Sequence, residues 1–312
     1  MISLAGVTNN LGKHSEAEKL LMEALDVAKT KLGMENQMTL SAMTRLAAVY
    51  YNQNRLSEAE HLQRQVIELY NFSLGLEHEL TWTTQLNLAA ILSKLGRIKE
   101  SQQIELQILD LRKKRFGLKH DLTLTAMANL AAGYRVQKFW KEEESCLIQV
   151  VEGRKEVLGP LHPDTLISSQ ALGNNYFHQG KYEAAESILR QVVQARTLLR
   201  GKSHPSTMAS LNSLARVLFD KGDREMAEVM QLQTIEQGIK TSGELNVAVL
   251  ECKWHLALMY RSWNRLGDAK ILLTDVFNAR KAALDKDHPD LNRVAQQIED
   301  IDLRLAKTVI DE

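Results

Sequence analysis

Residues 158–166 read LGPLHPDTL, and the same corner is written elsewhere in the chain: FGLKHDLTL stands at 116–124 and LRGKSHPSTM at 199–208. The interval is constant. Glycine recurs at Gly33, Gly75, Gly117, Gly159, Gly201 and Gly243, each step being 42 residues. Three residues further on stand Asn36, His78, His120, His162, His204, Asn246 and, one step later, His288. Threonine follows at Thr39, Thr81, Thr123, Thr165 and Thr207. A small residue preceded by leucine repeats at Ala5, Ala47, Ala89, Ala131, Gly173, Ala215 and Ala257. A fixed period of this length marks a repeat architecture before any residue is read for chemistry.

Each period reads as two helices. Pro163 suits a first helical position, where its missing N–H costs nothing, and His162 precedes it as the cap. Leu166, Ser169, Leu172, Gly173 and Tyr176 then fall on one helical face, predicting a first helix to about Gln179. Gly180-Lys181 makes a turn, matched at Gly12, Asn54, Gly96, Lys138, Gly222 and Asn264. The second helix is expected from Tyr182 to about Leu198. Gly201 then ends it, glycine tolerating the left-handed backbone that closes a helix. One hairpin cannot bury its apolar stripe, so hairpins must stack. The expected fold is all-α: a right-handed α-solenoid of stacked antiparallel hairpins, with backbones closest at Ala47, Ala59 and their equivalents. The expected organisation is one array over 1–312. It divides into a partial repeat at 1–31, six repeats at 32–283 and a capping helix at 284–312. Leu291, Val294, Ile298, Ile301 and Leu305 form the apolar face of that cap.

Bulk composition agrees. The 312 residues are 44% hydrophobic with four prolines, enough apolar material for a large core and few breaks in helices. Lys+Arg and Asp+Glu are each 39, and this balance argues against a nucleic-acid or anionic-membrane surface, both of which need a basic excess. No apolar run approaches the roughly 18 residues of a membrane helix. The opening MISLAGVTNNLGKH lacks the order of a secretory signal. Two cysteines are too few for a disulfide framework or a zinc site. A cytoplasmic location is expected.

The pattern resembles the tetratricopeptide repeat: Leu-Ala then Tyr on the first helix, Glu-Ala-Glu opening the second. That repeat usually spans about 34 residues; the longer period here is similar to the version in kinesin light chains. HPDTLISSQALGNNYFHQGKYEAAESILRQVV (162–193) and HDLTLTAMANLAAGYRVQKFWKEEE (120–144) carry the likeness. Their phrasing is closest to fungal arrays attached to NB-ARC or similar STAND NTPase modules. The resemblance implies a solenoid whose first helices line a groove for an extended peptide. Its departures are informative. Glu143 stands where alanine is expected, predicting a looser or shifted hairpin there. The sixth repeat, SGELNVAVLECKWHLALMY (242–260), lacks His-Pro and the threonine. The chain begins at the equivalent of residue 43, inside a first helix, which predicts a piece of a longer array or a shortened gene product.

Candidate chemistry is sparse. GKS at 201–203 matches the end of a phosphate loop, but Arg196 stands where the required glycine belongs, so the tripeptide is a repeat corner. The histidines at 78, 120, 162, 204 and 288 are repeat-equivalent and cannot converge on one metal; Asn36 and Asn246 in the same column identify them as helix caps. Cys146 and Cys252 fall in columns of apolar or small residues and lack an activating base. Arg112, Arg154, Arg196 and Arg280 sit in last turns, where base complements the helix dipole. No catalytic pair or triad emerges, and neither a cofactor nor enzymatic activity is expected.

The groove is what remains. With 43, 46, 47 and 50 turned into the stack, 44, 48, 51 and 52 form the adjoining stripe. Its distinctive occupants are Tyr51, Asn52, Lys94 and Arg135, then Gln170, Asn174, Phe177 and His178, then Asn212, Arg216, Trp254 and Arg261. Amides can pair with a peptide backbone, aromatic rings can anchor apolar side chains, and arginines can take carboxylates. The expected function is a non-catalytic scaffold for a protein or peptide partner, leaning toward acidic segments. A second expectation is the ligand-sensing portion of a STAND-type signalling NTPase.

Overall fold

The computed structural model describes residues 2–10, 13–283 and 289–310. Among the described residues there are fifteen helices and no strand. Residue contacts divide the chain into two units, Met1–Cys146 and Leu147–Glu312. In the first run α1 (Ile2–Asn10), α2 (His14–Leu32), α3 (Gln37–Asn52), α4 (Leu56–Ser73), α5 (Glu79–Lys94), α6 (Ile98–Phe116) and α7 (Asp121–Val136). The division falls within α8 (Trp140–Leu158). The second unit continues with α9 (Pro163–His178), α10 (Tyr182–Arg200), α11 (Pro205–Lys221), α12 (Arg224–Ser242), α13 (Val247–Ser262), α14 (Leu266–Ala283) and α15 (Pro289–Ile310).

The helices start where the repeated corner dictates. Asn36 and Asn246 accept, through Oδ1, the backbone N–H two residues on at 2.9 Å. His78, His120, His162 and His204 do the same through Nδ1 at 3.2 Å. Each of these caps satisfies an orphan donor of a first turn. His288 lies outside the described residues. Threonine secures the joint from the other side: Thr39 and Thr81 donate to the Gly33 and Gly75 carbonyls at 2.7 and 2.9 Å.

The joint glycines correct one expectation. Their φ lies between 82° and 91°, as positive as foreseen. But ψ at Gly201 is 164°, an extended mirror-image conformation and not the left-handed helical one. The chain therefore leaves the second helix nearly straight toward the next cap. The left-handed positions are the turns inside the hairpins: φ is 63° at Asn54, 60° at Lys138 and 62° at Asn264.

Successive helices pack on one another from α1 to α7 and from α9 to α15, and first helices also meet: α1 on α3, α9 on α11, α11 on α13. The small-residue columns lie at these contacts. Ala5, Ala89, Ala215 and Ala257 on first helices are fully buried, as are Ala17, Ala59, Ala185, Ala227 and Ala269 on second helices. Gly173 is closer still, since a Cβ there would stand 2.8 Å from Leu189 Cγ. Ser101 substitutes for alanine in its column and donates to the Ala89 carbonyl at 2.8 Å, so its hydroxyl is not stranded.

Glu143 does not shift its hairpin. α8 begins at Trp140, in step with Ile98 of α6 and Tyr182 of α10. Its side chain is 1% exposed, with Oε1 3.8 Å from Arg135 Nε. The arginine column is also not what the helix dipole predicted. Arg112, Arg154 and Arg196 are buried, and each donates to a backbone carbonyl in the next first helix: Leu122, Asp164 and Ser206. They staple successive hairpins. In the sixth repeat Val249 fills the threonine column and is fully buried. On α15, Leu291, Val294 and Ile301 are buried, each contributing about 1.5–3 kcal/mol on burial, and Ile298 and Leu305 pack beside them.

Candidate functional site

In the second unit the first helices α9, α11 and α13, with α15, enclose a cleft of about 460 Å³. Helical spacing places the walls. Phe177 comes from the last turn of α9, Arg216, Phe219 and Asp220 from α11, and Trp254, His255, Leu258 and Arg261 from α13. Arg293 and Gln297, one turn apart on α15, close the far side. Thus Phe177, Arg216, Trp254 and Arg261 of the predicted stripe come together in one concavity.

Its electrostatics are uneven. Arg261 is held by Gln297 and by Asp300, 3.6 Å away. Lys253 pairs with Asp275 at 3.0 Å and Arg280 with Glu251. Among the described residues Arg216 and Arg293 form no ion pair and lie over rings, Arg216 4.9 Å from the Phe177 centroid and Arg293 4.7 Å from that of Trp254. Burial holds the Arg216 guanidinium below its usual pKa, Asp220 partly opposing this. Burial likewise raises Asp220, against the pull of Arg216. His255 is pushed down to about 4, first by burial and then by Arg216.

An internal network fixes the His255 ring. Gln231 Nε2 donates to Asn212 Oδ1 at 2.6 Å, so the Asn212 amide nitrogen is turned to His255 Nδ1 at 2.9 Å. His255 Nδ1 also stands 2.9 Å from the Glu251 backbone carbonyl, so the ring is held from two sides. Asn212 is accordingly buried and committed within the protein. Gln170 is also committed, Oε1 accepting from Arg196 and from Ser210 Oγ at 3.2 Å. Asn174 is half-buried and His178 exposed, its ring edge-on to Phe177 at 5.4 Å. Trp254 is only 3% exposed, a floor and not a projecting anchor.

In the first unit Tyr51 and Lys94 of the predicted residues meet, while Asn52 and Arg135 turn to other partners. Tyr51 lines a smaller pocket of about 280 Å³ with Arg45, Gln63 and Asn87. Lys94 covers it, Nζ 4.4 Å from the ring centroid and donating to the Tyr51 carbonyl at 3.1 Å. Asn52 donates to Asn9 at 3.2 Å, and Arg135 faces Glu143. Burial raises both thiols, that of Cys252 to about 12, where it has no thiolate character at neutral pH.

Sequence reasoning missed His255, Phe219, Leu258, Arg293 and Gln297 and read Asp220 only as an acidic member of the stripe. Phe219, Asp220 and Leu258 lie in the stripe columns and were legible by the same 42-residue step. Arg293 and Gln297 lie on the polar side of the capping helix, which periodicity reads only as solvent-facing.

Among the described residues no helix is long and apolar enough to cross a membrane. No curated protein matches the chain. Among solved structures it resembles a Podospora anserina array of nearly identical repeats of kinesin light chain type, at 28% identity. That match has a TM-score of 0.60 and covers 65% of this chain and 95% of that one. The fold is also that of apo RapI, with TM-score 0.63 and 14% identity over 90% and 96% of the two chains. A Rap protein in complex with Competence and Sporulation Factor follows at TM-score 0.53 and 11% identity, over 98% and 95%. One tetratricopeptide repeat profile matches residues 1–71, 122–198 and 171–238, and another matches 81–121. With more than half of its length matched and its helices laid out as antiparallel hairpins in register, the chain belongs to the tetratricopeptide repeat family.

Proposed function

We propose that the chain is a non-catalytic interaction scaffold that holds an extended segment of a protein partner along its first helices. The observation that carries this reading is the α9–α11–α13–α15 cleft, where half-buried aromatic walls meet two arginines that form no ion pair among the described residues. Preformed walls reduce the ordering cost on the receptor side of binding. The unpaired arginines favour an anionic segment, in keeping with a lean toward acidic partners. Asn174, Phe177 and His178 would meet the segment beside the cleft, and Tyr51 would offer a secondary contact in the first unit. The proposal includes a single array over 1–312, with 1–31 partial, 32–283 as six repeats and 284–312 as cap. It also includes a cytoplasmic setting, which two unpaired cysteines suit.

Selection from a displayed random-peptide library tests this. Selected peptides should bind wild type and lose about tenfold or more in affinity to Phe177→Ala, whose unfolding curve should stay unchanged. Failure to select any peptide, or equal binding by Phe177→Ala, refutes the reading.

A second reading, the sensor portion of a STAND-type NTPase, draws on the similarity to a Podospora anserina array. The genomic frame upstream of Met1 tests it: a phosphate-loop module in frame supports it, and a stop codon removes it.

A further inference from the structure

We propose that the α9–α11–α13–α15 cleft recognises a phosphotyrosine in the bound segment. The inference rests on the peptide-binding reading and names the side chain that this part of the groove selects. Two observations converge on it.

The first is charge. The basic groups around the cleft divide into those in an ion pair, Lys253, Arg261 and Arg280, and those that form none among the described residues, Arg216 and Arg293. Arg216 is half-buried, and the Asp220 carboxylate one turn along answers its charge only in part. One carboxylate engages one guanidinium. A phosphate ester carries nearly two charges and three acceptor oxygens, which matches two guanidiniums at once. Both arginines line the same cleft, Arg216 from α11 and Arg293 from α15.

The second is the wall. Phe177 and Phe219 are half-buried rings bordering the volume, with Leu258 beside them. A phosphoserine would leave these rings in water, whereas a phosphorylated aromatic ring covers them while its oxygens reach the arginines. Cleft size is permissive, about 460 Å³ against the few hundred of ordinary ligand sites. Asp220 sets the affinity from below, since its carboxyl borders the same space and repels a dianion.

The test uses the full chain and degenerate peptide pools with a central phosphotyrosine, tyrosine, phosphoserine or glutamate, read by fluorescence anisotropy. The phosphotyrosine pool should bind ~10-fold or more tightly than the other three. Phenyl phosphate should compete, and inorganic phosphate at the same concentration should not. Arg293→Gln, on the exposed side of the capping helix, should lose ~10-fold with an unchanged melting curve, and Asp220→Asn should gain a few-fold. Equal binding of phosphotyrosine and tyrosine pools overturns the inference while leaving the peptide groove intact. Equal binding of the phosphoserine pool, or competition by inorganic phosphate as strong as by phenyl phosphate, overturns the assignment to tyrosine. If no pool binds, both readings fall.

Discussion

Arg196, near the end of α10, donates through Nη1 to the backbone carbonyl of Ser206 in the first turn of α11, 2.8 Å away across the repeat joint. The same nitrogen reaches Ser210 Oγ at 2.7 Å. Arg154 repeats the arrangement one period earlier, bonding Asp164 O at 3.2 Å and Ser168 Oγ at 2.6 Å. A guanidinium spans this gap because it presents several donors in a fixed plane.

Arg196→Met keeps most of the packing volume but leaves the buried acceptors around Ser206 and Ser210 without their donor. A destabilisation of about 2–4 kcal/mol is expected. Arg196→Lys should recover less than half, because the lysine ammonium ends one atom short of the Nη1 position. Urea denaturation checks both, and a loss below ~0.5 kcal/mol for Arg196→Met would show that the staple is dispensable.

Lys138 holds a φ of 60°, a conformation occupied in equivalent hairpin turns by Asn54, Asn264 and glycine. A lysine gains nothing there to offset the Cβ clash. Lys138→Gly should raise stability by about 0.5–1 kcal/mol, and Lys138→Asn by less. The reading is wrong if the melting temperature of Lys138→Gly falls.

The helix starts, caps and turns were legible because each depends on residues a few positions apart, and the 42-residue step supplies independent copies of every local signal. Asn36 standing in the histidine column revealed the cap before any coordinate did. The groove was legible only in part. Phe177, Arg216, Trp254 and Arg261 could be placed on one stripe by spacing. But whether a polar side chain on that stripe is free depends on partners in other helices. Gln170 is tied to Arg196, and Asn212 to Gln231 and His255, by contacts that spacing does not encode. The arginine column misled for the same reason. A base in a last turn always suits the helix dipole, and only the position of the next helix shows that Arg112, Arg154 and Arg196 point inward.

Glu105 stands in a column filled by Leu21, Leu147, Leu189 and Leu273 and, in two other copies, by Gln63 and Gln231. Gly133 leaves room beside it: a Cβ there would be 3.6 Å from Glu105 Oε2, which has no hydrogen-bond partner. Burial raises its pKa to about 7. The folded state therefore holds a proton that the unfolded chain releases near its ordinary carboxylate pKa. The advantage is whole below about pH 4.3 and is lost as pH rises to 7. Glu105→Gln should flatten this decline and stabilise the protein above pH 7 by on the order of 1–2 kcal/mol, a half-buried site being partly screened by water. Parallel pH profiles of wild type and variant, from urea denaturation at pH 5 to 8, would contradict this account.

His162 caps α9 by accepting the Asp164 N–H at Nδ1, whereas Asn36 and Asn246 cap α3 and α13 through a side-chain oxygen at shorter distance. Removing the acceptor and replacing it should therefore differ. His162→Ala should cost about 1 kcal/mol, and His162→Asn should cost nothing or stabilise slightly. Thermal melts of the three proteins decide the matter: a His162→Ala variant as stable as wild type would mean that Nδ1 is not the acceptor.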